Sequence, residues 1–164
     1  MLRGVLALGF IVAAGVASAT PVDNILPDAE PRGQATFRFL GLPIYHARLF
    51  TANAAPLSWQ NDFAIELTYK REIAQKELVG STLQEFDRLG SPLPLRDNLM
   101  RCFYDVNKGD RYLAVSDGPD RIRFWRNGKR TCTLAYPDIK KRFMSIFVGD
   151  NTRSQSFTRR LVGQ

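Results

Sequence analysis

Few residues in this sequence have types and spacing suited to chemistry. The one histidine, His46, directly follows Tyr45. An imidazole can serve as a general base near neutral pH. It needs a nucleophile or an orienting carboxylate, however, and the sequence designates no Ser, Cys or Asp for that part; a hydrogen-bonded strand histidine is the competing reading. Glu66 and Thr68 share the less apolar face of a later strand, and Tyr45 and Tyr69 carry hydroxyls that a cleft could use. Together these groups could orient a small ligand by hydrogen bonds, or they could be ordinary cross-strand pairs. Arg121, Arg123, Arg126, Lys129 and Arg130 form a basic set that suits a carboxylate or phosphate. A solvated edge hairpin explains that set equally well.

Several chemistries lack their parts. Two cysteines far apart and one histidine do not make a metal-ligand cluster, so no metal is expected. No glycine-rich phosphate loop, dinucleotide fingerprint or G-x-S-x-G elbow occurs, so no cofactor is expected. Cys102 and Cys132 leave two readings open. In an oxidising compartment they pair and stabilise by roughly 3 kcal/mol, or they stay two buried thiols.

The N-terminus sets the compartment. Met1-Leu2-Arg3, the apolar run Val5 to Val16 and Ala17-Ser18-Ala19 match a secretory signal peptide cut after Ala19. The run is short for a membrane span. An exported mature domain is expected from this reading. Without Arg3, one of 23 basic residues, 22 Lys and Arg face 16 Asp and Glu, a net charge of +6. That excess favours anionic membrane surfaces or acidic ligands. Export and the absence of a binding motif argue against nucleic acid.

The elements that must position these groups can be read in order. Thr20 to Arg32, rich in Pro and acids, reads as an irregular leader carrying no site. Gly33 to Phe50 is dense in strand formers, and Pro43 implies a bulge near Gly41 or two strands with a bend between them. Phe63 to Lys70 alternates cleanly, with Phe63, Ile65, Leu67 and Tyr69 on one face. The period then becomes helical. A short helix over Ile73 to Val79 is broken by Gly80, and a second starts at the Ser81 and Gln84 capping pattern and ends at Gly90. A third piece runs from about Leu95 to Phe103.

Strands follow at Arg111 to Ser116, Arg121 to Arg126 and Lys129 to Leu134, the last two joined by Asn127-Gly128. That two-residue turn puts Phe124 opposite Thr131 and Arg123 opposite Cys132. Ile122, Phe124, Thr131 and Thr133 are then the inner face, and Trp125 stands with Arg123 and Arg130 on the other. A helix from Pro137 buries Ile139, Phe143, Ile146 and Phe147, with Lys140, Lys141 and Arg142 opposite. A last helix, Ser154 to Val162, carries Phe157 and Leu161. This order is that of one α+β domain, residues 33–164.

The ordered motifs FLGLPIYHARLF, FAIELTYKREI, FYDVNKGDRYLAV, RFWRNGK and YPDIKKRFMSIFVGDNT, spread over Gly33 to Leu161, resemble the chalcone isomerase-like family and its exported bacterial branch. The resemblance implies an open-faced sandwich, a large antiparallel sheet with helices packed on one side and a cleft between them. Isomerase members use an Arg, a Thr and a Tyr whose places here, matched on Tyr45, fall near Ala35, Leu40 and Leu78. None of the three is retained. Fatty-acid-binding relatives use the same Arg; Arg38 could substitute for it, and Thr36 for the Thr.

Three functions are therefore expected in order. The first is a non-catalytic periplasmic protein holding a small apolar or amphiphilic ligand such as a fatty acid, with Arg38, Tyr45, Glu66, Thr68 and Tyr69 as ligand-binding residues. The second is an isomerase or lyase acting through Tyr45, His46, Glu66 or Tyr69. The third is a module whose basic hairpin docks on anionic membrane or a periplasmic protein.

Overall fold

The computed structural model describes residues 22–164; the expected signal peptide, residues 1–19, lies outside them. Six strands form one antiparallel sheet in the order of the chain: β1 Ala29–Phe39, β2 Leu42–Ala52, β3 Ala64–Tyr69, β4 Arg111–Ser116, β5 Arg121–Arg126 and β6 Lys129–Ala135. Helices α1 Gln75–Arg88 and α2 Arg96–Cys102 fall between β3 and β4, and α3 Ile139–Val148 and α4 Gln155–Leu161 follow β6. All four lie against one face of the sheet, where Leu49, Ile65, Phe86, Leu99, Phe124, Ile139 and Leu161 form the main core. The alternating pattern of β3 explains the choice of face, because Ile65 and Tyr69 point to the helices and Ala64 and Glu66 away.

The Gly33 to Phe50 stretch is a hairpin. The bend read at Pro43 is a two-residue turn at Leu40 and Gly41, and Phe39 pairs with Leu42 and Arg38 with Pro43 across it. Pro43 lies beyond the last paired residue between β2 and β3, Tyr45 with Tyr69, so it is opposite β3's end, where a missing donor matters little.

Four local expectations are corrected. The strand β1 begins at Ala29, inside the stretch read as irregular leader, and Val22 and Leu26 are buried. They cap a second small core on the far face with Phe50, Ala64, Leu113, Val115 and Trp125. Gly80 does not break α1, which runs unbroken through it with no capping at Ser81. Glycine costs a helix about 1 kcal/mol, and burial of Val79 and Phe86 on either side outweighs that.

At the β5–β6 hairpin the register slips after Trp125, so that Phe124 faces Cys132 and Arg123 faces Thr133. Thr131 is the extra residue of a bulge and Thr133 is exposed, so neither completes the inner face. The bulge turns Cys132 toward the helices, where it forms a disulfide with Cys102 at the end of α2. Finally, Lys140 is buried, its ammonium donating to the Asn61 carbonyl at 2.6 Å and facing Asp62 at 3.4 Å.

Candidate functional site

Between the first three strands and the helices opens a cleft of about 520 Å³, within the roughly 300–1,000 Å³ typical of small-ligand sites. Its floor is aromatic because β1, β2 and β3 direct alternate large side chains to the helix side. Phe37 stacks on Tyr45 with ring centres 5.2 Å apart, and Tyr45 meets Phe157, Phe147 and Tyr69 edge-on at 6.0, 6.2 and 6.3 Å. Phe39, Ile44, Leu67, Ile73, Leu78 and Ile146 complete the apolar lining. A smaller apolar void of about 60 Å³ shares Leu67, Tyr69, Leu78 and Phe147 with it and reaches inward to Phe103, Phe124 and Phe143.

One wall is charged. Glu85, only 6% exposed on the buried side of α1, accepts from Arg88 Nη2 at 2.8 Å and Arg88 Nε at 3.1 Å. Arg153, in the link between α3 and α4, pairs with the other oxygen of the same carboxylate. Glu85 and Arg153 both line the cleft. Two guanidinium groups around this carboxylate make the wall locally positive. Arg153 of the two lines the cleft, whose rim also carries Arg71, Glu72 and Glu77, and the local excess favours an anionic group of a ligand at Arg153.

Tyr45 sits within electrostatic reach of this wall. Burial first, then the Tyr69 hydroxyl and the Glu85 carboxylate, push Tyr45 far above the ordinary phenol range, with Arg153 opposing. Burial, followed by Tyr112, does the same to Tyr69. Both hydroxyls therefore stay protonated at neutral pH and can donate a hydrogen bond. Neither is disposed to act as a base.

Of the sequence-derived candidates, the structure brings only Tyr45 and Tyr69 to the cleft. Glu66 is buried on the opposite face, where it pairs with Arg48 directly across β2 and β3 at 2.7 Å. Thr68 faces His46 in the same register. His46 lies outside the cleft as well, with Nδ1 3.1 Å from the Thr36 hydroxyl and Nε2 3.3 Å from the Gln34 amide oxygen. Burial, then the nearby Lys70 and Arg48 charges, lower its pKa, so the ring is neutral. Arg38 is exposed at the hairpin tip and donates to the Gly41 carbonyl at 3.1 Å. These groups are cross-strand and turn partners, and a one-residue parity separates them from the site.

Three of the five cations of the basic hairpin share two carboxylates. Arg121 and Arg123 both approach Asp117, and Arg126 pairs with Asp110 at 3.0 Å. Arg123 and Arg130 each lie 5.8 Å from the Trp125 ring, the arrangement the sequence suggested. Sequence reasoning missed Glu85, Arg88 and Arg153. Glu85 and Arg88 look like a routine surface pair three residues apart on a helix, and Arg153 falls in a polar link with no periodicity to mark it.

No family model matches the chain, and no curated protein matches it by sequence. Among solved structures it is similar to the fatty-acid binding protein of Arabidopsis thaliana, with a TM-score of 0.65 over 84% of this chain and 88% of that one. The fold is chalcone isomerase-like. At 8% identity the likeness is one of architecture, with the six-stranded antiparallel sheet and its helix layer arranged as the motif order of the sequence implied.

Proposed function

We propose that this chain is a periplasmic, non-catalytic binding protein that takes an amphiphile with an anionic head, of the fatty-acid kind, into the cleft between sheet and helices. The observation that carries the reading is the pairing of an aromatic, apolar cleft with the Glu85, Arg88 and Arg153 wall. Chain burial among Phe37, Phe147 and Phe157 supplies the nonspecific part of affinity at roughly 25 cal/mol per Å². Arg153 supplies the head contact, and Tyr45 offers a neutral donor beside it. The anchor is not Arg38, which turns away at the hairpin tip. The similar Arabidopsis structure is named a fatty-acid binding protein, which accords with this reading. Of the residues the isomerase or lyase alternative rests on, His46 and Glu66 lie outside the cleft and the two tyrosines are held protonated, so none of the four offers a base there.

The test is native mass spectrometry of the mature protein from Thr20 onward, with identification of whatever is released on denaturation. A bound fatty acid, or uptake of dodecanoate at one equivalent, is expected. A protein that is empty and takes up no amphiphile when offered it would sink the proposal.

A further inference from the structure

The two tight hairpins of this sheet have the same backbone turn and different residues in it. At the β5–β6 tip, Asn127 and Gly128 have φ of 49° and 81°; at the β1–β2 tip, Leu40 and Gly41 have φ of 48° and 79°. Positive φ at both central positions is the geometry for which Asn-Gly is favoured. A leucine there is strained, because its Cβ crowds the backbone in the left-handed region. Folding therefore does not account for Leu40, and core packing does not either, since it is 87% exposed. Its neighbours Phe39 and Leu42, paired across the turn, are 51% and 57% exposed. Three large apolar side chains thus crown one projecting loop.

This loop is continuous with the cleft mouth, because Phe39 and Ile44 line the cleft while Leu40 and Leu42 do not. Exposed cations flank it. Arg38 lies on β1, Lys70 follows β3 with its amide bonded to the Ile44 carbonyl at 2.9 Å, and Arg71 stands on the cleft rim. Of these three Arg71 alone lines the cleft, beside Glu72 and Glu77, so the basic excess belongs to the loop and not to the cleft lining. An apolar tip set among basic residues matches the chemistry of a bilayer interface, with apolar groups below the headgroups and cations among anionic ones.

We infer that the Phe39 to Leu42 tip is a membrane-docking element that seats the cleft mouth on an anionic lipid surface. Docking itself does not depend on what the cleft holds. That the docked mouth exchanges an amphiphile with the bilayer rests on the function proposed above.

The test is co-sedimentation of the mature protein with vesicles of phosphatidylglycerol and phosphatidylcholine, and with vesicles of phosphatidylcholine alone. Leu40→Asn suits the turn better than leucine, so it is expected to fold at least as well. Binding to the mixed vesicles is expected, weakened by salt, weaker on phosphatidylcholine, and reduced about tenfold or more by Leu40→Asn with a further loss in Leu40→Asn/Leu42→Thr. Dodecanoate uptake in solution, without vesicles, is expected to be unchanged in both variants. Absence of vesicle binding in the wild type, or binding indifferent to Leu40→Asn, overturns docking and leaves the cleft reading standing if dodecanoate still binds. Self-association that Leu40→Asn abolishes, without vesicle binding, also overturns it and assigns the tip to a second copy of the chain. Vesicle binding without dodecanoate uptake upholds docking and removes the cleft's ligand instead.

Discussion

Replacing Arg153 with leucine separates the head of a bound amphiphile from its chain. Glu85 keeps its two contacts from Arg88, at 2.8 and 3.1 Å, so the carboxylate remains paired while the wall falls from net positive to neutral. Because the Arg153 side chain is about one-third exposed, its pair with Glu85 contributes no more than about 1 kcal/mol to folding. The melting curve should therefore hardly move. A carboxylate ligand loses one charge-assisted hydrogen bond, worth about 1.5–3 kcal/mol, which corresponds to a loss of affinity of roughly tenfold to 150-fold. A neutral-headed ligand with the same chain loses nothing of this kind, since the apolar contacts with Phe37, Phe147 and Phe157 are untouched. Calorimetric or fluorescence-displacement titrations of dodecanoate and dodecanol against wild type and Arg153→Leu measure the difference directly. Equal weakening of both ligands, or no weakening of either, would refute Arg153 as the anchor. Affinity restored by Arg153→Lys would show that positive charge matters more than the planar fork.

Two further perturbations test the scaffold around the cleft. The Cys102 to Cys132 disulfide closes a loop with a sequence separation of 30, for which chain entropy gives about 3.6 kcal/mol. The Cys102→Ser/Cys132→Ser variant should therefore melt about 10 °C lower, and a melt within about 2 °C of wild type would mean that the reduced chain is already constrained there. In Gly33→Ala the new methyl would sit 2.6 Å from the Arg160 carbonyl oxygen and 2.7 Å from the Gly163 amide nitrogen. Backbone cannot yield as a side chain does, so α4 must lift from β1 at a cost of about 1–3 kcal/mol in urea unfolding. Phe157 moves with it and dodecanoate affinity falls. Unchanged stability would show that the α4 contact is looser than it stands here.

The sequence by itself determined the type and order of most elements, with α1 read as two pieces and the start of β1 as leader. Alternation in Phe63 to Lys70, the Asn127-Gly128 turn and the Phe157, Leu161 spacing are local signals, because each reflects an i+2, turn or i+4 geometry contained in a few residues. The open-faced sandwich followed from that order together with the motif resemblance. Continuity of α1 through Gly80 was not legible, because a glycine's helical penalty is local while the burial that overrides it comes from the sheet. Nor was the β6 bulge, since one extra residue at Thr131 is specified by where Cys132 must reach and not by the turn.

The candidate site divides in the same way. Tyr45 and Tyr69 could be read as cleft residues because strand parity fixes their face, and the same parity placed Glu66, Thr68 and His46 on the face the helices do not cover. Which face the helices take is a property of the packed whole. The charged wall is another such property, for Glu85 and Arg153 belong to elements far apart in the chain and meet only after α1, α3 and α4 have settled on the sheet. A carboxylate and a guanidinium are each ordinary in sequence, and only the tertiary fold, by burying one and bringing the other to it, makes them a site.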